Sequence, residues 1–352
     1  MKTIVLTGGG TAGHVTPHIA LIPSLRNEGW DIRYIGSYQG IEKDLIEKEN
    51  IPYYGIASGK LRRYMSLQNF KDPFKVIKGF LDAYKVLKKL KPKVVFSKGG
   101  YVTVPVVMAA NTLKIPVIIH ESDMTPGLAN KMAMKGAKVI CVNFEETLQY
   151  VGNKGVLTGS PIRKELFEGS RETGNRLCSF KYQKPTLLMM GGSLGSVKIN
   201  KVLRKGLPEL LKKFNVIHIC GKGNKEASLE GIQGYKQFEY VSEELPHLFA
   251  ITDIMLSRAG ANAISELVAL HIPSLLIPLS ASASRGDQIL NANSMKNKGY
   301  CEILLEDELN EKTLVEKIEL IYRNKEQYKE TMRQATETKA IDKIINIIRE
   351  YY

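Results

Sequence analysis

Short runs of consecutive apolar residues alternate with stretches of helical periodicity along the whole chain. Runs that stay apolar throughout are typical of strands buried on both faces of a parallel sheet, and helices are the connections that such a sheet needs. The pattern therefore predicts an α/β fold with a parallel sheet in each half of the chain. The predicted strands cover residues 3–7, 31–36, 93–97, 116–120 and 138–142 in the first half, and residues 186–190, 216–220, 237–240, 254–257 and 274–277 in the second.

The two halves of the chain begin in the same way. In each, a strand runs into a glycine cluster that opens a helix, first at Gly8–Gly13 and again at Gly191–Gly195. This is the local design of a nucleotide-binding α/β domain, present once in each half. We therefore expect two Rossmann-like domains whose parallel sheets face each other across a cleft, with the junction near Gly159-Ser160-Pro161.

Composition narrows the class of protein. The 352 residues are 43% hydrophobic and 24% charged, which is typical of a globular protein of two domains. The best apolar stretch, Val104–Ala110, is too short to span a bilayer, and the N-terminus lacks the pattern of a signal peptide. The four cysteines lie far apart, so neither a zinc site nor a disulfide framework is expected. Free cysteines fit a protein of the reducing cytoplasm.

The net charge of +14 indicates an anionic partner. Much of it lies between Lys60 and Lys93, where eleven basic residues are opposed only by Asp72 and Asp82. Such a basic amphipathic segment either rests on anionic lipid or is a solvated helix packed by its apolar side. Nucleic acid is not expected, because no nucleic-acid-binding motif accompanies the charge. The apolar residues at helical spacing within the segment are Phe74, Ile77, Leu81, Tyr84 and Leu87.

Three glycine loops follow predicted strands. Gly8-Gly9-Gly10-Thr11-Ala12-Gly13 fits a dinucleotide fingerprint, but the next strand ends Tyr34-Ile35-Gly36-Ser37 without the carboxylate that would hold a ribose, so an oxidoreductase is disfavoured. The loop still suits a phosphate or the edge of a sugar. Lys98-Gly99-Gly100-Tyr101 is expected at the same sheet edge. Gly191–Ser196 lacks the Walker lysine but offers backbone N–H groups, the Ser193 hydroxyl and a helix dipole to a diphosphate.

Two polar segments follow strands of the second half. Glu266 ends the segment Ser257–Glu266 and could accept hydrogen bonds from ribose hydroxyls, while the amides of Gln288 and Asn291 share a helical face and suit sugar hydroxyls. The sequence contains no Asp-x-Asp pair, the usual means of holding a nucleotide-sugar diphosphate through a metal. We therefore expect no metal and no cofactor, with a helix dipole, backbone groups and arginine bearing the leaving-group charge.

Two histidines are candidates for acid–base chemistry. His14 directly follows the first glycine loop, where a helix N-terminus would keep it neutral and suited to act as a general base towards a hydroxyl. Its alternative role is to shape the loop by hydrogen bonding. His120 and Glu121 form a second candidate pair at a strand end of the same sheet edge.

Six motifs together resemble the MurG family, the UDP-N-acetylglucosamine:undecaprenyl-pyrophosphoryl-N-acetylmuramyl-pentapeptide N-acetylglucosaminyltransferases. The resemblance implies the GT-B architecture, with domains at 1–162 and 163–339 and a C-terminal helix over about 340–352 that packs back on the first domain. It also implies an inverting, metal-independent transfer from UDP-GlcNAc to O4 of the muramyl sugar of lipid I, at the cytoplasmic face of the membrane. The motifs read GGGTAGHVTP from Gly8, SKGGYV from Ser97, His120-Glu121, GGSLGSVKIN from Gly191, SRAGANAISE from Ser257 and DQILNAN from Asp287.

Roles for individual residues follow from the resemblance. His14 corresponds to a proposed base. The implied donor contacts are Thr11, Ala12 and Gly13 to the sugar, Arg163 from the domain junction, Ser193 to the diphosphate, Glu266 to the ribose, and Gln288 with Asn291 to the GlcNAc hydroxyls. The acceptor-side candidates are Gly100, Tyr101, His120 and Glu121. The implied partners are UDP-GlcNAc, lipid I and an anionic membrane surface.

The chain departs from the family pattern at two places. The family often has glycine where Ala12 stands, and often reads His-Glu-Gln-Asn where this chain has His120-Glu121-Ser122-Asp123. No donor contact is therefore carried over to Asp123. Other readings remain: a GT-B transferase with another lipid or glycan acceptor, a UDP-GlcNAc 2-epimerase, which would need further carboxylates, or a non-catalytic nucleotide-sugar-binding protein.

Overall fold

A computed structural model describes residues 2–59, 72–181, 183–192, 195–281, 286–335 and 339–351. The chain divides into two compact units. Met1–Arg163 and Glu337–Tyr352 form the first unit, and Lys164–Thr336 form the second.

The first unit is built on a parallel sheet of seven described strands in the order β3-β2-β1-β4-β5-β6-β7. The strands are β1 (Lys2–Gly8), β2 (Trp30–Ser37), β3 (Tyr53–Ile56), β4 (Val94–Gly99), β5 (Val117–Glu121), β6 (Val139–Val142) and β7 (Gly155–Leu157). The helices of this part of the chain are α1 (Thr16–Asn27), α2 (Ile41–Lys48), α3 (Asp72–Leu90), α4 (Thr103–Thr112), α5 (Leu128–Ala133) and α6 (Leu148–Val151).

The second unit repeats the design with six described parallel strands in the order β10-β9-β8-β11-β12-β13. The strands are β8 (Thr186–Met190), β9 (Asn215–Ile219), β10 (Tyr235–Phe238), β11 (Ile254–Ser257), β12 (Ser274–Leu276) and β13 (Cys301–Ile303). The helices are α7 (Arg171–Cys178), α8 (Val197–Lys213), α9 (Leu245–Ala250), α10 (Ala261–Ala269), α11 (Asp287–Asn297), α12 (Glu311–Arg323) and α13 (Lys325–Arg333).

Double burial explains why the central strands are apolar throughout. Successive residues of a strand point to opposite faces, and in β1 both Ile4 and Leu6 enter one core while Val5 enters the other. The α/β prediction is confirmed, and each of the ten predicted strands is present. Three further strands, β3, β7 and β13, escaped prediction. Each lies at a sheet edge, where a strand has one neighbour and needs fewer apolar residues.

The last helix of the chain, α14 (Ala340–Arg349), belongs to the first unit. Its residues Ile344, Ile345 and Ile348 are buried in the core on the α1 side of the sheet, beside Trp30. Lys343 Nζ also donates to the carbonyl oxygen of Leu157 over 3.3 Å. The first core is therefore completed by the end of the chain.

Helix α3 has two apolar faces rather than the single stripe that the sequence predicted. Ala83 and Leu87 are fully buried in the core. Phe74, Ile77 and Leu81 are 74%, 58% and 51% exposed and lie on the opposite side. The single stripe was wrong because both faces are apolar at helical spacing and only one of them packs. The basic residues from Lys60 to Lys71 lie outside the described residues.

Within the described residues, no helix combines the length and the apolar character that crossing a membrane requires.

Candidate functional site

The first two glycine loops meet backbone to backbone at the carboxyl edge of the first sheet. The N–H of Gly9 donates to the carbonyl of Gly99 over 3.3 Å. A Cβ placed on Gly100 would lie 2.2 Å from the carbonyl oxygen of Gly9, and Gly100 has a φ of +90°. Only glycine meets both conditions, the positive φ and the missing side chain. The predicted proximity of the two loops is therefore correct.

A buried carboxylate, that of Glu42, holds the first glycine loop in place by hydrogen bonding. Glu42, in the first turn of α2, is fully buried and accepts three hydrogen bonds. The donors are the N–H of Gly10 at 3.2 Å, the N–H of Ser37 at 3.1 Å and the hydroxyl of Ser37 at 2.5 Å. A carboxylate that accepts several hydrogen bonds is stable in a buried site without a cation. Glu42 thus couples the end of β2 to the glycine loop.

His14 is held in one tautomer by the loop that it follows. Its Nδ1 lies 2.9 Å from the carbonyl oxygen of Gly9 and 3.2 Å from the hydroxyl of Thr11. Because a carbonyl can only accept, the proton is on Nδ1 and the lone pair is on Nε2. Thr11 precedes a short 3-10 turn, Ala12–His14, which leads into α1. The orientation of the ring is therefore set by the loop and not by α1 itself.

A second histidine supports the same loop from within the core. His18 is fully buried, with its Nδ1 3.2 Å from the hydroxyl of Tyr34, and that hydroxyl donates to the carbonyl of Gly8 over 2.9 Å. Burial lowers the pKa of His18 well below its usual range and raises that of Tyr34. Both side chains therefore stay neutral and support the loop through their hydrogen bonds.

The acceptor-side candidates divide into two groups. Gly100 and Tyr101 are partly exposed in the second glycine loop. His120 is fully buried, and Glu121, at 5% exposure, accepts from the backbone N–H groups of residues 123 and 127 and from the Asn130 amide. Burial lowers the pKa of His120 and raises that of Glu121. His120 and Glu121 are therefore bonded mainly to neighbouring groups of the same unit, which fixes this edge of the sheet.

The loops of the second unit gather at the ends of adjacent strands. Gly191-Gly192 follows β8, Gly260 follows β11, and α11 follows β12. Ser196 caps α8, its hydroxyl accepting from the N–H of Ile199 over 3.4 Å. The N-terminus of a 17-residue helix thus opens at this edge, where it favours an anion.

Arg258 ties these loops together. It donates to the Ser196 hydroxyl over 2.8 Å and to the carbonyl of Ile277 over 3.1 Å. It also pairs with Glu306 at 2.6 Å, both side chains being nearly buried. One guanidinium therefore spans the α8 cap and the end of β12, using the fork geometry that suits arginine to several acceptors.

The predicted donor residues of the second unit differ in exposure. Glu266, in α10, and Gln288, in α11, are partly exposed, and the Gln288 carbonyl oxygen accepts from the N–H of Leu279 over 3.1 Å. Asn291 is fully buried and donates to the carbonyl of Ala259 over 3.3 Å. Gln288 and Asn291 lie three residues apart on α11, but Asn291 is the buried member of the pair and its amide anchors the helix.

The remaining predicted donor residues of this part of the chain are Arg163 and Ser193. Arg163 ends the first of the two segments that form the first unit, four residues after Gly159. Ser193 lies outside the described residues. Within the described ranges, no group of three or more His, Cys, Asp or Glu side chains is arranged to hold a metal ion.

Sequence reasoning missed three residues that organise these edges. They are Glu42, Lys98 and Arg258, and all are charged and nearly buried. A charged residue at a helix start or strand end normally reads as solvent-exposed. The usable signal is position, since each lies within a few residues of a glycine loop or strand end.

The chain resembles known proteins over nearly its whole length. The model of the glycosyltransferase family 28 N-terminal domain matches residues 4–142, and that of the glycosyltransferase family 28 C-terminal domain matches residues 186–346. A Lachnospira eligens protein is 59% identical over 99% of both chains. A Clostridium tetani protein is 57% identical over 100% of this chain and 98% of its own. Both are named UDP-N-acetylglucosamine–N-acetylmuramyl-(pentapeptide) pyrophosphoryl-undecaprenol N-acetylglucosamine transferase.

Solved structures agree with this likeness. The crystal structure of Acinetobacter baumannii MurG superposes with a TM-score of 0.80 at 26% identity, covering 99% of this chain and 100% of that one. A UDP-GlcNAc 2-epimerase from Neisseria meningitidis superposes with a TM-score of 0.72 at 14% identity, covering 99% and 100%. The epimerase shares the fold alone.

The contact between the glycine loops can be tested with two matched variants. Gly29 and Gly100 both have positive φ, but only at Gly100 would a Cβ meet backbone. Gly29→Ala should cost about 1 kcal/mol of unfolding free energy from backbone strain. Gly100→Ala should cost about 1–3 kcal/mol more, because the loop is overpacked. Urea unfolding followed by the fluorescence of Trp30, the single tryptophan, reports on this unit. Equal losses would contradict the close contact.

Proposed function

The chain belongs to glycosyltransferase family 28 and, within it, to the MurG family, and from this premise we propose that it transfers N-acetylglucosamine from UDP-GlcNAc to lipid I. The acceptor atom is O4 of the muramyl sugar of undecaprenyl-pyrophosphoryl-N-acetylmuramyl-pentapeptide, and the product is lipid II of peptidoglycan synthesis. The observation that carries the proposal is the 59% identity, over 99% of both chains, to a transferase named for this reaction.

The chemistry we propose is a single inverting displacement. Nε2 of His14 takes the proton of the O4 hydroxyl as the oxygen attacks C1 of GlcNAc, and the bond from C1 to the diphosphate of UDP breaks. Attack on the face opposite UDP inverts C1. The hydrogen bond from Nδ1 to the carbonyl of Gly9 supports this role, because it leaves Nε2 as the basic nitrogen and stabilises the imidazolium that forms.

We assign the donor mainly to the second unit. The α8 N-terminus with Gly191-Gly192 and Ser193 would hold the diphosphate, and Glu266 the ribose hydroxyls. The Gln288 carbonyl is used by Leu279, so its amide NH₂ is the group for GlcNAc hydroxyls, with Asn291 in support. From the first unit, Arg163 and the 11–13 loop would complete the donor site. Helix dipole and arginine carry the leaving-group charge, so we propose a metal-independent reaction without a cofactor.

We assign the acceptor to the first unit. Gly100 and Tyr101 are the exposed candidates for contact, and the buried His120–Glu121 pair holds the same edge in shape. A different lipid or glycan acceptor is the second candidate, because the backbone loops that we assign to the acceptor recognise charge and shape more than a particular sugar.

We further propose that α3 and its neighbours rest on the cytoplasmic face of the membrane. On α3 the exposed Phe74 and Leu81 share one face with Lys78 and Lys85. Between α4 and α5 lies a groove of about 460 Å³ that has the same mixture of apolar and lysine side chains. The groove is lined by apolar side chains with lysines and an asparagine among them: Val104, Val107, Met108, Asn111, Lys131, Met132, Ala133 and Lys135. Apolar side chains ringed by lysine bind anionic lipid surfaces by burial and charge together.

The transferase assignment predicts acceptor-dependent release of UDP. With UDP-GlcNAc and a soluble lipid I analogue, in EDTA, UDP should appear together with a new disaccharide detected by mass. Donor alone should give only slow background release. Donor binding without release in either case would redirect the search to other acceptors or to a binding protein. Release that needs added metal would contradict the metal-independent reaction alone.

The role of His14 separates into base and loop support by two substitutions. His14→Ala should lower turnover by roughly 10²–10⁴-fold, because the proton acceptor is lost. His14→Asn retains a donor that can reach the Gly9 carbonyl but has no basic nitrogen, so it should lose as much. Turnover near the wild-type level in His14→Asn would show that the ring only shapes the loop. UDP binding is the control for folding in both variants.

Membrane contact through α3 predicts selective binding to anionic vesicles. The double variant Phe74→Ser/Leu81→Ser should bind phosphatidylglycerol vesicles about tenfold or more weakly in sedimentation, because two exposed apolar side chains no longer enter the interface. Tyr150→Ser, an exposed residue on α6, is the matched control and should bind as wild type. Binding should fall with salt. Equal binding of both variants, or no preference for phosphatidylglycerol over phosphatidylcholine, would rule out this surface.

A further inference from the structure

Lys98 is a buried lysine at the junction of the sheet edge and the second glycine loop. It lies near the end of β4, directly before Gly99, and its exposure is 2%. Its Nζ is 2.9 Å from Nδ1 of His120 and also bonds the hydroxyl of Ser122. A lysine ammonium can only donate, so both groups act as acceptors. One cation therefore joins the end of β4 to the corner that follows β5.

The connection continues through the His120 ring. With Nδ1 accepting from Lys98, the ring proton is on Nε2, which donates to the carbonyl of Gly159 over 2.8 Å. Gly159 has a φ of +80° and lies in the irregular segment that leads to Arg163. Lys98 thereby links the loop of Gly100 and Tyr101 to the segment that carries the proposed donor arginine.

The surroundings keep Lys98 charged at neutral pH but close to titration. Burial lowers its pKa to about 8, against the attraction of Glu121, Asp123 and Cys141. The other titratable groups facing it are His18 and His120, whose own pKa values are lowered by burial and by Lys98. The link from Lys98 through His120 to Gly159 therefore needs a protonated Lys98 and a neutral His120.

The effect of this burial on folding has a definite sign. The folded pKa of about 8 is below the ordinary lysine value of 10.5, so the unfolded chain binds the proton more tightly. The charged group therefore opposes folding below pH 8, and this penalty disappears as the pH rises from 8 to 10.5. A lysine present only for stability would not carry this cost.

We propose that Lys98 is a positioning residue for the transfer reaction, holding the second glycine loop, the His120–Ser122 corner and the Gly159–Arg163 segment in one register. The inference rests on the proposed function and adds to it a group that touches neither substrate. Displacement of a site segment by about 1 Å commonly costs about 10²-fold in rate. Because the link needs the protonated form of Lys98, activity should fall when this side chain loses its proton at alkaline pH.

The decisive comparison is Lys98→Met against Lys93→Met, an exposed lysine directly before the same strand. Lys98→Met should lower kcat/KM for the acceptor about 10²-fold, mainly in kcat, with UDP affinity within twofold of wild type. Lys93→Met should match wild type. In wild type, kcat/KM should fall above pH 8 while the circular dichroism spectrum is unchanged, and this fall should be absent in Lys98→Met. Activity of Lys98→Met within threefold of wild type, or the same alkaline fall in it, would overturn the proposal.

Two further readouts keep the test decisive. If Lys98→Met does not fold, the wild-type profile decides, and constant activity from pH 7 to 9 overturns the role. If wild type shows no transfer to the lipid I analogue, the proposed function fails separately. Lys98 is then judged from the amide resonance of Gly159 in protein labelled with ¹⁵N-glycine. That resonance should titrate near pH 8 in wild type, and a resonance that ignores pH would refute the link.

Discussion

The approach of two backbones, at Gly9 and Gly100, is the constraint on which the first unit's site depends. The N–H of Gly9 is bonded to Gly99, and the carbonyl of Gly9 orients His14. A side chain at Gly100 would push Gly9 away and move both bonds. The contact in turn requires that β1 and β4 be adjacent and parallel and end together, so the topology of the sheet and the tautomer of the candidate base depend on each other.

Three ionisable side chains are buried near these loops, and each is stabilised by a different set of partners. Glu42 accepts from three neutral hydrogen-bond donors, whereas Arg258 is paired with Glu306 and also donates to neutral acceptors. Lys98 has two acceptors and more distant carboxylates. Full hydrogen bonding makes such groups rigid, but each is costly if a partner is lost. All three stand beside loops assigned to substrate, where rigidity has a use in catalysis.

Much of the fold and part of the site follow from the sequence, for identifiable reasons. The central strands could be predicted because burial on both faces demands unbroken apolar runs, and the edge strand Tyr53–Ile56 could not because one face is less buried. The glycine loops could be predicted because clustered glycines follow an apolar run in the sequence. Glu42 does not, because an acidic residue at a helix start reads as solvated until the fold brings Gly10 and Ser37 to it. The burial of Asn291 likewise depends on the Ala259 carbonyl, supplied by a distant segment.

The position of α14 sets the order in which the molecule can be finished during synthesis. The first unit contributes the start of the chain, yet Ile344, Ile345 and Ile348 complete its core only after the whole second unit has been made. At ribosomal rates that interval lasts roughly 10–40 s. For that time the apolar side chains around Ile4 and Trp30 lack the residues of α14 that cover them in the finished molecule. The second unit, by contrast, is contiguous and can fold as soon as it emerges.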